Sequence, residues 1–268
     1  MFRSALLHEL SSAFIIVPMK LILAGYGKMG RETEAAAVKR DHVITARIDP
    51  AVKDADASSL THAAAAKADA VIEFALPEGI LDRVRSYAEW KLPAVIATTG
   101  WQQHLPEVEA IVRESGIGLV YGANFSVGAN IFFDLVRRAT RIANLFPEYD
   151  VLGYELHHKR KKDSPSGTAL STANIILDES ATKTRLVTDR LNAAIRDGEL
   201  HFTSVRGGYI PGIHTVLFDS ETDTVELTHN VRSRSGLALG AVMAAEWIWK
   251  RTGCYKFDDF MREKLSGV

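Results

Sequence analysis

Leu21-Ile22-Leu23-Ala24-Gly25-Tyr26-Gly27-Lys28-Met29-Gly30 is the stretch whose reading decides the fold of this chain. Its apolar start reads as a buried strand, and the glycines at 25, 27 and 30 give the spacing G-x-G-x-x-G ahead of a helical run, MGRETEAAAVKR. That order lets the backbone turn tightly, approach a pyrophosphate closely and offer a helix N-terminus to it. Asp49 stands nineteen residues after Gly30, at the end of the next apolar run. A carboxylate there accepts hydrogen bonds from both ribose hydroxyls of an adenosine and repels a 2′-phosphate. The reading is a dinucleotide site formed by Gly25, Tyr26, Gly27, Lys28, Met29, Gly30 and Asp49 that favours NADH, with Arg47 and Lys53 near enough in sequence to keep NADPH open.

Further along, strand-like runs alternate with helical stretches as far as Phe125: VITARID, AVIEFA, GILDRVRSYAEWK, PAVIATTG and GLVYGANF. This is the rhythm of a parallel, doubly wound sheet covered by helices, a Rossmann-type α/β domain over residues 19–126. A bound dinucleotide lies across the carboxyl ends of such strands. Three later loops should therefore meet it, at Phe74 to Gly79, at Ala97-Thr98-Thr99-Gly100 and at Gly122-Ala123-Asn124-Phe125-Ser126. Phe125 is expected to pack against the nicotinamide ring.

After Phe125 the texture changes to a long helix, ANIFFDLVRRATRIANLF, then DVLGYELHH, a helix after Pro165, and two strands, GIHTVLF and TVELTHNV, joined by a turn at Ser220 to Asp223. Residues 127–235 are expected to form a second α+β domain with a mostly antiparallel or mixed sheet, and 236–268 to return to the first. Residues 1–18 read as a leader outside the fold, without a clean signal-peptide pattern.

The chain has 268 residues, 47% apolar and 24% charged, and a formal net charge of -1. It has no overall field to gather nucleic acid or an anionic membrane, and no apolar run near the roughly 18 residues that span a bilayer. Cys254, the only cysteine, has no disulfide partner. A reducing compartment, the cytoplasm, is the expectation.

The second chemical segment is Glu155 to Leu170, ELHHKRKKDSPSGTAL. Adjacent histidines at the end of a strand face opposite sides, so His157 and His158 do not easily share a metal ion, and no metal site is expected. One of them can instead serve as a proton donor near neutral pH, and the residues alone do not say which. Lys159 to Lys162 put four cations together in a near-neutral chain; in isolation such a run is more often a solvated turn. The residues after it change that reading, because Ser166 is an N-cap type and Gly167 and Thr168 would offer free amides at a helix N-terminus. Cations and amides converging beside a histidine suit a small carboxylate.

Glu155-Leu-His-His, Lys161 and Asp163-x-Pro-Ser-Gly-Thr-Ala together resemble the signature of the bacterial dihydrodipicolinate reductase family. The resemblance extends over Ile72-Glu73-Phe74, Pro77-Glu78-Gly79, Thr98-Thr99-Gly100, Asn124-Phe125-Ser126-Val127-Gly128 and Gly212-Ile213-His214-Thr215, from Met19 onward. Ser164 and Ile213 depart from the usual alanine and glutamate. The resemblance implies reduction of a cyclic dicarboxylate by NAD(P)H in diaminopimelate and lysine biosynthesis, by a homotetramer. It also implies His157 as acid-base residue, Lys161 as second proton donor, and His158, Ser166, Gly167 and Thr168 as substrate contacts. Two other readings compete. A dinucleotide-sensing module would not need a proton donor, and a semialdehyde dehydrogenase would carry a catalytic cysteine in mid-chain, whereas Cys254 lies near the C-terminus.

Overall fold

The computed structural model describes residues 16–266. The leader proposed for residues 1–18 therefore lies mostly outside the described residues; positions 16–18 are exposed irregular chain leading to the buried Met19. Of the described residues, 16–126 and 235–266 form one compact unit and Val127–Arg234 form another.

In chain order the first unit contains β1 (Lys20–Ala24), α1 (Lys28–Val38), β2 (Val43–Ile48), α2 (His62–Ala65), β3 (Ala70–Glu73), α3 (Ile80–Glu89), β4 (Ala94–Ile96), α4 (Leu105–Ser115) and β5 (Gly118–Tyr121). The second contains α5 (Val127–Ala143), β6 (Asp150–His157), α6 (Gly167–Glu179), β7 (Arg185–Val187), β8 (Glu199–Arg206), β9 (Ile213–Asp219) and β10 (Thr224–Asn230). The chain then adds α7 (Ser235–Ile248), β11 (Gly253–Lys256) and α8 (Phe257–Leu265) to the first unit.

The first sheet runs β11-β5-β4-β3-β1-β2, with every neighbouring pair parallel. Its central strands read as continuous apolar runs because helices cover both faces: Leu21, Val71, Val95 and Val120 are fully buried. Strand order reverses between β1 and β3, which creates a crevice at the carboxyl ends of those two strands. Gly25 sits at that reversal with φ of +90°, and a Cβ on it would lie 2.3 Å from the carbonyl oxygen of Phe74. Only glycine lets the two strand exits approach so closely. Helix α7 packs against α1 and the sheet through small residues, Ala238, Gly240, Ala241, Ala244 and Ala245.

The second sheet runs β10-β9-β6-β8-β7. Strands β10 and β6 flank β9 antiparallel, whereas β6/β8 and β8/β7 are parallel. The sheet is thus evenly mixed, not mostly antiparallel. The reason is the connection: parallel strands need crossovers, and α6 carries the chain from β6 to β7 at the sheet edge, after which residues 188–198 return it to β8 between them. The β9–β10 hairpin closes as expected, with the Ser220 amide donating to the Asp223 carbonyl at 2.9 Å. Phe132 and Val136 of α5 and Ala169, Ala173 and Ile176 of α6 pack on Val151, Leu200, Phe202, Val216 and Phe218, the inward face of the sheet.

Candidate functional site

In the first unit, helix α1 begins at Gly27, which provides no capping side chain, and its first turn holds no acidic residue. Its leading amides and the positive end of its dipole thus lack an internal anion. A Cβ on Gly27 would meet nothing within 4 Å, whereas one on Gly30 would lie 2.3 Å from the Gly25 carbonyl oxygen. Gly30 lets the helix close on the turn, and Gly27 leaves open space above it. Lys28 is exposed and Met29 half-buried beside it. The Tyr26 amide donates to Asp49 Oδ2 at 2.8 Å, and Asp49 Oδ1 accepts from the Ala51 amide at 2.8 Å. Asp49 is therefore fastened to the glycine turn while each oxygen keeps accepting capacity. The two nearby arginines are already paired: Arg47 with Glu34 and with Asp56 at 3.2 Å, and Arg31 with Asp54 at 2.7 Å. These features fit a dinucleotide's pyrophosphate and ribose.

A second carboxylate shapes the neighbouring loops. Glu73, fully buried at the end of β3, accepts from Arg83 through both oxygens at 2.9 Å, from the Tyr87 hydroxyl at 2.7 Å and from the Thr98 hydroxyl at 2.9 Å. Thr98 Oγ1 in turn accepts from the Ala75 amide at 3.1 Å, and Arg83 also donates to the carbonyls of Leu76 and Glu78. Two of the sequence expectations change here. Thr98 is buried with its hydroxyl committed, so it holds the loop together instead of offering that hydroxyl to a ligand. The Phe125 ring is 2% exposed and packs in the core against the tilted ring of Phe257, centroids 4.7 Å apart, which excludes the expected packing against a nicotinamide. Phe74 and Ala97 are half-buried, Thr99 and Ala123 are exposed, and the Asn124 side chain accepts from the Ser126 amide at 2.9 Å.

In the second unit the site follows from strand register. Cross-strand pairing puts His229, His214, Glu155 and Ser204 in one row on β10, β9, β6 and β8, and His157 opposite Arg206 two residues further on. These residues share the inward face, where the apolar core gives way to the N-terminus of α6. Glu155 is fully buried; its Oε1 accepts from the Ser166 amide at 2.9 Å, the Ser204 hydroxyl at 2.7 Å and the Arg206 guanidinium at 2.7 Å. Its Oε2 accepts from the Ser166 hydroxyl and lies 3.2 Å from His157 Nδ1 and 3.7 Å from His214 Nδ1, both outside hydrogen-bond geometry. Burial pushes the Glu155 carboxyl upward, but the donors from Ser166, Arg206 and Ser204 outweigh it and hold its pKa at about 2. Burial lowers the pKa of His157, against the opposing pull of Glu155, and takes His214 down to about 4.

Donor atoms of Glu155, His157 and His214 lie within 4.8 Å of one another, close enough for one cation. Arg206 already fills that role for the carboxylate.

Ser166 is the expected N-cap but departs from expectation as a substrate contact. It caps α6 by accepting from the Ala169 amide at 3.1 Å, and its own amide and hydroxyl both serve Glu155, so neither is free for a substrate. Gly167 and Thr168, the next two residues, have amides without intrahelical acceptors, and a Cβ on Gly167 would meet nothing within 4 Å. Lys161 Nζ pairs with Asp163 Oδ1 at 2.9 Å beside this helix end. His158 is half-buried just past the strand, its Nδ1 without a partner. Lys159, Arg160 and Lys162 are exposed, the first two near the exposed Tyr209 ring, as a solvated turn requires. Ser204 and Arg206 were not legible as site residues, because β8 alternates apolar Leu200 and Phe202 with these inward polar groups and reads as a mixed polar stretch.

The family model described as dihydrodipicolinate reductase, N-terminus, matches residues 19–125, and that described as its C-terminus matches 128–261. A 4-hydroxy-tetrahydrodipicolinate reductase of Christiangramia forsetii is 33% identical over 245 residues, covering 91% of this chain and 98% of that relative. One from Laribacter hongkongensis is 36% identical with the same two coverages, 91% and 98%. Among solved structures, a dipicolinate-bound dihydrodipicolinate reductase from Paenisporosarcina sp. TG-14 shares the fold at a TM-score of 0.74 and 22% identity, over 91% of this chain and 99% of that one. Matched along both units by sequence and by fold, the chain belongs to the dihydrodipicolinate reductase family.

Proposed function

We propose that this chain reduces 4-hydroxy-tetrahydrodipicolinate to tetrahydrodipicolinate with a nicotinamide cofactor, a step of diaminopimelate and lysine biosynthesis. The observation that carries this reading is the convergence of His157, Lys161 and the uncapped Gly167 and Thr168 amides at one end of α6, an arrangement suited to a carboxylate that must also be protonated. Bound NADH supplies the hydride. Gly25, Tyr26, Gly27, Lys28, Met29 and Gly30 hold its pyrophosphate, Asp49 its ribose, and the loops at Phe74, Ala97 to Thr99 and Ala123 to Phe125 its nicotinamide end.

On the substrate, Gly167, Thr168 and His158 bind a ring carboxylate, and Lys161 exchanges Asp163 for that carboxylate while remaining within reach as a second proton donor. His157 donates the proton that balances the negative charge left by hydride addition. NADH is preferred over NADPH: Asp49 repels a 2′-phosphate, and Arg31 and Arg47 would have to leave Asp54, Glu34 and Asp56 to bind one. The assembly is a homotetramer in the cytoplasm. Support for the assembly comes from the outward face of the second sheet, where Leu152, Leu156, Val205 and Leu217 align and Leu152 and Val205 are exposed. No helix of the described residues is long and apolar enough to cross a membrane. A spectrophotometric assay of cofactor oxidation with freshly made synthase product tests the function, and turnover absent with both cofactors would reject it.

A further inference from the structure

Glu155 is the most heavily bonded buried carboxylate of the second unit, and the proposed chemistry uses none of its atoms. Its position is set by register: on β6 it faces Ser204 of β8 and His214 of β9, and it shares a strand face with His157 two residues on. Two other elements and a neighbour on its own strand converge on it. Strand β8 donates through Ser204 and Arg206, the N-terminus of α6 donates through the Ser166 amide and hydroxyl, and His157 Nδ1 stands 3.2 Å away. A buried charge this fully satisfied is rigid, since moving it would strand several donors at once.

We infer that Glu155 is a positioning residue that orients the His157 imidazole, favours its proton-donating form against the opposing burial, and locks it to the helix end carrying the Gly167 and Thr168 amides. The inference rests on the assignment of His157 proposed above. The His157 Nδ1 atom is buried without a hydrogen-bond partner, so Glu155 Oε2, 3.2 Å away, is the acceptor available to it. A small ring rotation closes that bond, as catalytic hydrogen bonds tighten when ligands bind. With Nδ1–H given to Glu155, Nε2 remains for the substrate. The Nε2 side is kept open by Gly212, where a Cβ would come within 2.9 Å of it.

The charges facing His157 are Glu155 on its own strand, Arg206 from β8, Lys161 and Asp163 from the loop, and the histidines His214 of β9 and, behind it, His229 of β10. Glu155 and Asp163 stabilise the imidazolium, and Lys161 and Arg206 oppose it. Turnover that needs protonated His157 falls as pH rises through its pKa. Glu155→Gln preserves shape and removes the anion, so this basic limb moves to lower pH by about one to three units. Glu155→Asp keeps the charge and restores the limb toward its wild-type position. Arg206→Gln removes an opposing cation and moves the limb the other way, to higher pH, which keeps the inference testable if the glutamine variant does not fold.

The experiment is the pH profile of kcat and of the NADH KM for the full chain and these variants, with synthase product as substrate. Opposite shifts of the limb at unchanged NADH KM are expected. A limb that keeps its wild-type position in both glutamine variants, with only its height reduced, overturns the inference and leaves Glu155 a scaffold residue. A wild-type enzyme that turns over with no limb in the histidine range removes the His157 assignment and this inference together.

Discussion

The Ser166 amide donates to Glu155 Oε1 at 2.9 Å, so the helix that carries the proposed anion site starts on a carboxylate supplied by the strand that ends in His157. Helix dipole and capping serve the fold at the first amide and stay open to a ligand at the next two.

Ser166→Ala removes a helix cap and a donor to a buried carboxylate in one step. The cap is worth about 1 kcal/mol and the orphaned acceptor about 1–3 kcal/mol more. Urea unfolding should show a stability loss of that combined size; an unchanged midpoint would mean that another group replaces the hydroxyl.

Acid should destabilise the second unit in two stages. His214, neutral in the fold with its pKa near 4, leaves the unfolded chain to bind the proton first as pH falls from the ordinary histidine value of 6.5. Glu155, held at about 2 against an ordinary 4.5, then contributes stability that is present above 4.5 and lost as pH falls through 2. Unfolding free energies measured downward from pH 7 should decline in both windows, and His214→Gln should flatten the upper one. Equal slopes in variant and wild type between pH 6.5 and 4 would show that His214 is not the group responsible.

Asp49→Ala should relax cofactor preference toward NADPH, since it removes the charge that a 2′-phosphate meets. It also deletes the acceptor for the Tyr26 amide, so NADH affinity should fall as well. Steady-state KM values with both cofactors measure this; an unaltered NADH to NADPH ratio would contradict the ribose assignment.

The parallel sheet is legible in the sequence because its central strands are largely apolar runs and Gly25 and Gly30 of the turn each have a steric reason to be there. The second sheet is less so. Strand β8 carries Leu200 and Phe202 inward but then Ser204 and Arg206 inward too, which erases the alternation that marks a strand. Strand β11 is four residues long and only partly buried. The segment from His157 to Thr168 stands out by residue type alone, yet Ser166 as a bond to Glu155 and Phe125 as core depend on tertiary neighbours. No local pattern reports those.

Lys161→Ala should lower turnover by about a hundred- to ten-thousand-fold, the usual worth of a positioned proton donor, and weaken substrate binding. Asp163 loses its cation in the same variant. NADH affinity, measured by fluorescence titration, should hold. Equal weakening of NADH and substrate would place the lysine's effect outside the substrate site.

The most direct measurement is the oxidation of NADH by the purified full chain, followed spectrophotometrically with and without the fresh product of dihydrodipicolinate synthase. NADH should be consumed only when that product is present, and faster than NADPH under the same conditions. No consumption of either cofactor with the product present would contradict the proposed reaction.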